Sequence, residues 1–119
     1  MTAQNIKNTK TAKILVIDDE VRIRTACQEI LTEYGLDVFL AEDGEKGLEL
    51  IKKHDFDIML LDLMMPKMSG IDVLLKIKTL PIDVVVIVIT GYYTVEHSVE
   101  AMQNGAFDFI SKPFSPDTL

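Results

Sequence analysis

The chain has 119 residues, 48% hydrophobic and 26% charged, and this length and composition predict one globular domain with a substantial apolar core. Its 19 acidic and 12 basic residues give a formal net charge of −7, and the basic residues are scattered, which argues against direct binding of nucleic acid. No apolar run is long enough to span a membrane. The single cysteine, Cys27, excludes an internal disulfide and fits a cytoplasmic protein.

The beginning of the sequence differs from the rest in composition. Residues 1–12 are mostly polar and predict a flexible arm, ahead of one domain over residues 13–119. Apolar, mostly β-branched runs follow, of the kind found in strands that are buried on both faces of a parallel sheet. The strongest of these runs lie at 14–17, 58–61 and 84–89, and weaker strand candidates lie at 37–41 and 106–110.

Helical patterns separate the predicted strands. Apolar side chains recur at helical spacing from Ile23 to Tyr34, and Gly35 follows as a stop signal. The resulting alternation of strand and helix predicts a parallel sheet with helices on both faces. The other predicted helices cover 44–53 after an Asp43 cap, a stretch from Ser69-Gly70 to Lys78, a stretch from a Thr94 cap to Met102 before Gly105, and a fifth begun at Ser115-Pro116 and cut short at Leu119.

Polar residues stand immediately after the strong strands. Asp18-Asp19-Glu20 follows the first strand, Asp62 the third, Thr90 the fourth and Lys112 the fifth. Because the carboxyl ends of parallel strands meet at one edge of the sheet, we expect these groups to converge. Several carboxylates in one crevice call for a cation, and a set of oxygen ligands favours Mg²⁺. With a lysine and a hydroxyl added, the set predicts a phosphoryl-handling site in which an aspartate is the nucleophile.

Each of these residues alone has an ordinary structural explanation. Asp18 or Asp19 after a strand is commonly a helix cap, and Asp62 or Thr90 could start a turn. Lys112 before a proline is commonly part of a solvated loop. Their joint placement at one edge of the sheet favours the functional interpretation.

The sequence resembles the receiver domain of bacterial response regulators. The segments "ILVIDDE", "DIMLLDLMMPKMSGIDVL" and "VVVIVITGYYTVEHSVEAMQNGAFDFISKPF" carry the resemblance, which covers residues 13–119. It implies an α/β, flavodoxin-like, doubly wound five-stranded parallel sheet in the order 2-1-3-4-5, here with a truncated fifth helix. It also implies a phosphoryl-accepting switch that is not an enzyme, beyond promoting its own phosphorylation and slow dephosphorylation. The partners implied are a sensor histidine kinase and an output domain or downstream protein that acts in transcription, with a homodimer left open.

The same resemblance assigns roles to individual residues. Asp62 corresponds to the phospho-acceptor, and Thr90 and Lys112 to the groups that contact the phosphoryl oxygens. Thr90 and Phe109 correspond to the switch pair, and the Lys112–Pro113 bond to a cis peptide. The remaining roles are Mg²⁺ ligation by Asp18, Asp19, Asp62 and the backbone carbonyl of Met64, and control of the attacking water by the side chains of Met64 and Tyr92.

Three alternatives compete with this interpretation. A haloacid-dehalogenase-type phosphatase needs an acid two residues after the nucleophile, where this chain has Met64. A flavodoxin-like cofactor binder needs a phosphate-binding loop after the first strand, where Asp18-Asp19-Glu20 would repel the phosphate. The third alternative, a receiver-like protein-interaction module that is not phosphorylated, stays open from sequence.

Overall fold

Helices and parallel strands alternate along the chain in a computed structural model that describes residues 11–91 and 95–112. Several sequence-based predictions lie outside these residues: most of the flexible arm, the Thr94 cap, Tyr92, the Lys112–Pro113 bond and the start of the fifth helix. The division into an arm and a domain at residue 13 therefore stays a prediction. No helix in the described part of the chain is long and apolar enough to cross a membrane.

The five strands form one parallel sheet in the order β2-β1-β3-β4-β5. This order confirms the predicted flavodoxin-like topology. The chain moves from β1 outward to β2 and then returns to the other side of β1 for β3, so a crevice opens beyond the carboxyl ends of β1 and β3. The strands are β1 (Lys13–Ile17), β2 (Asp37–Ala41), β3 (Ile58–Asp62), β4 (Val85–Thr90) and β5 (Asp108–Ser111).

Four helices connect the strands within the described residues: α1 (Val21–Glu33), α2 (Gly44–Lys53), α3 (Gly70–Lys78) and α4 (Val95–Gln103). Their ends follow local chemistry. The Asp43 carboxylate accepts a hydrogen bond from the Lys46 N–H at the start of α2, and Ser69 forms a capping box with Asp72 at the start of α3. These caps confirm the predicted starts of both helices.

The fifth strand begins later than the sequence predicts. We expected it from Ala106, but pairing with β4 starts at Asp108. Gly105, with φ of 103°, ends the preceding helical segment in the left-handed region, and the Ala106 N–H donates back to the carbonyl of Ala101. Ala106 is therefore used in ending the helix and cannot join the ladder.

Each strand supplies side chains to two separate apolar layers. Leu15 and Ile17 of β1 pack on the face covered by α2, α3 and α4, whereas Ile14 and Val16 pack on the face covered by α1. Both faces are apolar, which explains the continuous apolar runs in the sequence. Cys27 of α1 lies in the second layer and is fully buried.

Candidate functional site

The buried polar residues of the described chain are grouped at one edge of the sheet. Asp18 follows β1, Asp62 ends β3 and Thr90 ends β4, and their exposed fractions are 0%, 2% and 2%. Asp18, Asp62 and Thr90 are the buried polar or charged residues found among residues 11–91 and 95–112. Burying such groups is costly unless they are paired, so their concentration at the carboxyl ends of adjacent strands makes this edge the candidate functional site.

Asp18 is held by bonds to nearly all of its polar atoms. Its N–H donates to the carbonyl of Ala41 at the end of β2, at 3.1 Å. Its Oδ1 accepts from the Glu20 N–H at 2.8 Å, and its carbonyl oxygen accepts from Nη1 of Arg24 at 2.7 Å. Asp18 is therefore not the helix cap that its position alone suggested; Glu20 occupies that position in α1, without a side-chain cap bond.

Asp62 ends β3 in a tightly packed backbone. The Met64 N–H donates to Oδ1 of Asp62 at 3.1 Å. A Cβ atom added to Gly70, the first residue of α3, would lie 2.4 Å from the Asp62 carbonyl oxygen, closer than real Cβ contacts allow. The packing of α3 against the end of β3 thus depends on this glycine, a role that the sequence did not signal beyond the start of a helix.

Lys112 brings the acidic groups together. Its Nζ lies 2.8 Å from Oδ2 of Asp18, 3.1 Å from Oε1 of Glu20 and 3.3 Å from Oδ2 of Asp62. The side chains of Lys112, Asp18 and Asp62 are at most 10% exposed, so the ion pairs of Lys112 with the two aspartates are poorly screened by solvent. One ammonium thus faces three carboxylates. The sequence predicted that Lys112 would lie near Asp18, Asp19 and Glu20, but it assigned no separate role to Glu20.

The pKa values of Asp18, Asp62 and Lys112 reflect the balance between burial and charge at the site. Burial raises the pKa of Asp18, although Lys112 partly offsets the effect. Burial, and then the charge of Asp18, raise the pKa of Asp62 to about 7 in spite of Lys112. Burial opposes the charged form of Lys112, but its close contact with the Asp18 carboxylate and the charge of Asp62 outweigh burial and raise the pKa of Lys112. The site therefore needs more positive charge than Lys112 supplies.

The acidic residues fit a small, hard cation. Each of Asp18, Asp19, Glu20 and Asp62 offers a carboxylate oxygen, and these atoms lie within 4.8 Å of one another. Oδ2 of Asp18 is buried and has no hydrogen-bond partner of good geometry in the described part of the chain, although Lys112 is close. A buried carboxylate oxygen that has only an ion pair with one lysine can still accept a cation, and Mg²⁺ prefers oxygen ligands.

The structure places some of the sequence-predicted residues together at the site and others farther away or outside the described residues. Asp18, Asp19, Asp62 and Lys112 come together as expected. Thr90 ends β4 beside them, and its carbonyl accepts from the Lys112 N–H at 2.9 Å. The remaining predicted residues are Met64, whose side chain is 47% exposed beside the acceptor; Phe109, half-buried on β5 against the three-helix layer; and Tyr92, which lies outside the described residues.

This arrangement can support covalent chemistry at a carboxylate. Asp62 offers an oxygen nucleophile at the edge of the crevice, and Lys112 can neutralise negative charge that arrives on an incoming group. A metal held by the neighbouring carboxylates would add a second positive charge. The role of each residue in such chemistry stays a prediction from sequence.

Comparison with known proteins shows the family to which the chain belongs. A family sequence model described as the response regulator receiver domain matches residues 14–119. The chain is 40% identical over 106 residues, 89% of its length, to the transcriptional regulatory protein ZraR of Escherichia coli (strain K12), and 38% identical over 107 residues, 90% of its length, to the transcriptional regulatory protein DltR of Streptococcus agalactiae. These matches cover 24% of ZraR and 48% of DltR, so the chain spans half or less of the length of these relatives.

Solved structures give the same result. The crystal structure of a CheY-like response regulator receiver domain protein from Methanospirillum hungatei JF-1 matches with a TM-score of 0.87 and 32% identity, covering 92% of this chain and 87% of that one. NtrX from Brucella abortus, solved in complex with ADP, matches with a TM-score of 0.82 and 35% identity, covering 92% of this chain and 24% of that one. The likeness therefore extends over most of the present chain.

Proposed function

The chain belongs to the response regulator receiver domain family, whose members are signalling switches rather than classical enzymes, and we propose that Asp62 is its phosphoryl acceptor. The observation that carries this proposal is the buried Asp62 carboxylate, held 3.3 Å from the Lys112 ammonium and beside the acidic residues that follow β1. A carboxylate in this setting has positive charge beside it that can neutralise an arriving phosphoryl group.

This geometry supports a phosphoryl transfer to Asp62. An Asp62 oxygen attacks the phosphorus of a phosphohistidine, the N–P bond breaks, its electron pair stays on the imidazole, and an acyl phosphate forms on Asp62. Lys112 neutralises charge on the phosphoryl oxygens, and the Thr90 hydroxyl donates a hydrogen bond to one of them. Mg²⁺, when bound, would supply further positive charge at this site.

The metal would be held by Asp19 and Asp62 directly, by Asp18 through water, and by the backbone carbonyl of Met64. The proximity of the four carboxylates supports the first three assignments. For the fourth, the bond from the Met64 N–H to Asp62 keeps this stretch of backbone beside the acceptor. Mg²⁺ keeps several waters and uses few carboxylates, so we expect a modest affinity.

The partners of the switch follow from the family. We propose a sensor histidine kinase as phosphodonor, and a transcriptional output controlled through Thr90 and Phe109, because the relatives ZraR and DltR are transcriptional regulatory proteins. A cytoplasmic location is supported by the one unpaired cysteine. The chain itself promotes only its own phosphorylation and dephosphorylation in this proposal.

Mass spectrometry after incubation with acetyl phosphate and Mg²⁺ tests the acceptor. We expect the wild type to gain one phosphoryl group that hydroxylamine removes, since acyl phosphates react with it, and Asp62→Asn to gain none. Asp55→Asn is the matched control, because Asp55 is an exposed aspartate to which the same change is made. Equal labelling of Asp62→Asn would place the acceptor elsewhere, and an unlabelled wild type would favour the unphosphorylated interaction module.

Calorimetric titration tests the metal site. We expect Mg²⁺ to bind the wild type and to bind Asp19→Asn much more weakly, because Asp19 would contribute a direct ligand. Asp55→Asn again controls for the loss of one negative charge. Wild-type affinity in Asp19→Asn would show that the cation binds at another place.

A further inference from the structure

Arg24 connects α1 to the segment that carries the acidic pair. The residue lies in the second turn of α1, and its half-buried side chain turns back toward the end of β1. There Nη1 donates to the carbonyl oxygen of Asp18 at 2.7 Å. A guanidinium stays charged at any physiological pH, and a charge-assisted bond of this length is a strong one.

The bonded carbonyl belongs to the peptide group that joins Asp18 to Asp19. The direction of the Asp18 carbonyl fixes the plane of that peptide, and this plane determines where the backbone of Asp19 lies. The N–H on the other side of Asp18 is fixed separately, by the carbonyl of Ala41. Arg24 therefore supplies the bond that orients the forward peptide, on the side of the predicted direct metal ligand.

Asp19 has particular need of such support. The carboxylates of Asp18 and Asp62 are both fixed by Lys112 and by backbone N–H groups. The exposed Asp19 carboxylate makes no hydrogen bond or ion pair with any described residue. Its position in the cluster is therefore set by its backbone, and the Asp18–Asp19 peptide is the part of that backbone which Arg24 holds.

We propose that Arg24 is a positioning residue for the divalent-cation site, acting on Asp19 through the Asp18–Asp19 peptide. This inference rests on the proposed function, because it requires that a cation bind at the acidic cluster. Arg24 does not touch the cation or the phosphoryl group; it holds the backbone in the conformation from which Asp19 reaches the site. Groups that orient metal ligands in this way strongly affect metal affinity.

The test compares two arginines of the same helix. Arg24→Met removes the guanidinium but keeps an unbranched apolar stem that can pack as the arginine stem does. Arg22→Met is the matched control, because Arg22 is exposed on α1 and the change in charge is the same. The readouts are the Mg²⁺ dissociation constant by calorimetry and the amide resonances of Asp19 and Glu20 in the metal-free protein.

We expect Arg24→Met to weaken Mg²⁺ binding by about tenfold and to shift the Asp19 amide before any metal is added, and Arg22→Met to do neither. Unchanged Mg²⁺ affinity in folded Arg24→Met overturns the inference, as does an equal loss in Arg22→Met, which would make the effect one of general charge. If Arg24→Met does not fold, Arg24→Lys takes its place, because lysine keeps the charge on a shorter side chain. Wild-type affinity and an unshifted Asp19 amide in Arg24→Lys would then overturn the inference. If the wild type binds no divalent cation, the proposed metal site itself is wrong. If the wild type binds the cation and Arg24→Met binds it equally well, only the role of Arg24 is wrong.

Discussion

At the scale of single residues, Asp62 is subject to opposing influences. Burial and the neighbouring Asp18 carboxylate favour its protonated form, whereas Lys112 and the Met64 N–H favour its charged form. The first two dominate and raise its pKa from the usual 3.8 to about 7. Asp62 must be ionised to act as a nucleophile, so a cation at the site would serve to keep it so as well as to neutralise the phosphoryl group.

The raised pKa makes the metal-free protein sensitive to pH. Folded Asp62 binds its proton more tightly than unfolded Asp62, so the free energy of unfolding should fall as the pH rises from about 4 to about 7. Asp62→Asn removes this ionisation and should unfold with on the order of 2 kcal/mol more free energy than the wild type at about pH 8, with a much smaller difference at about pH 5.

Urea denaturation in the presence of a chelator measures this difference. Asp55→Asn, at an exposed aspartate, should follow the wild type at both pH values. Added Mg²⁺ should reduce the decline of the wild type at high pH, because it stabilises the ionised form. A stability difference between Asp62→Asn and the wild type that does not change with pH would contradict the role given to burial.

The lifetime of the phosphorylated form should depend on Met64 and Tyr92. Met64 is apolar, 47% exposed and adjacent to the acceptor, so it cannot orient an attacking water through a polar group. Tyr92 carries a large ring at the predicted second gating position. We expect Met64→Asn and Tyr92→Glu each to speed loss of the phosphoryl group severalfold, since about 1.4 kcal/mol in the barrier is tenfold in rate.

The decay is followed by phosphoprotein mass spectrometry after removal of the donor. Met102→Asn is the control, because Met102 is comparably exposed, at 43%, but lies on α4. If neither gating substitution changes the rate, these side chains do not control the water.

At the scale of helices and strands, the contact between α3 and β3 sets the position of the acceptor. A Cβ on Gly70 would meet backbone atoms on β3 and just after it, at 2.4 Å from the Asp62 oxygen and 2.7 Å from Cα of Leu63. Gly70→Ala should therefore push α3 and the acceptor apart. We expect a loss of about 2 kcal/mol in the free energy of unfolding and slower phosphorylation by acetyl phosphate.

Gly91→Ala serves as the control for Gly70→Ala. Its added Cβ would meet side-chain atoms of Lys112 at 3.5 Å, an ordinary contact, so it should change stability little. Urea denaturation and the rate of phosphorylation measure both variants. Equal behaviour of the two alanine variants would show that the close approach of α3 is not required.

Comparison of sequence and structure shows which features are local. The strands and their order, the caps at Asp43 and Ser69, and the meeting of Asp18 with Lys112 followed from apolar runs, capping chemistry and the resemblance to receiver domains. These depend on neighbouring residues or on the general geometry of parallel sheets. The sequence predicted that Glu20 and Lys112 lie at the same edge of the sheet, but their direct contact across 92 residues depends on side-chain reach between two loops.

Backbone strain was equally hidden in the sequence. Lys67 has φ of 70°, a left-handed conformation unusual for a residue other than glycine, and the Met68 N–H donates to the carbonyl of Pro66 at 2.9 Å. This three-residue turn is strained. The turn lies in the short connection between the acceptor strand and Gly70. Its conformation is visible only in the three-dimensional structure.

At the scale of the whole molecule, the described helices are divided unevenly between the two faces of the sheet. Three helices pack on one face, and α1 packs on the other. On the α1 face, Ile58, Ile87 and Ile110 remain half-buried. Such apolar side chains are stabilised by further cover, and without it they favour self-association.

A longer version of the chain should therefore be more stable. We expect that adding an amphipathic helix after Leu119, to continue the helix predicted from Ser115, raises the melting temperature and reduces self-association. The control is an extension of equal length made of glycine and serine, which cannot supply an apolar face. Thermal unfolding and light scattering compare the three proteins, and equal melting of the two extended chains would contradict the prediction.

The buried cysteine gives a way to time the movements of α1. Cys27 is the sole thiol of the chain, is fully buried beneath α1, and has its pKa raised to about 11 by burial and by the charge of Asp18. A thiol reagent needs both access and a thiolate, so in the closed protein it finds neither. The rate at which such a reagent modifies Cys27 therefore reports how often α1 separates from the sheet. The measurement uses a natural residue of the chain as its probe.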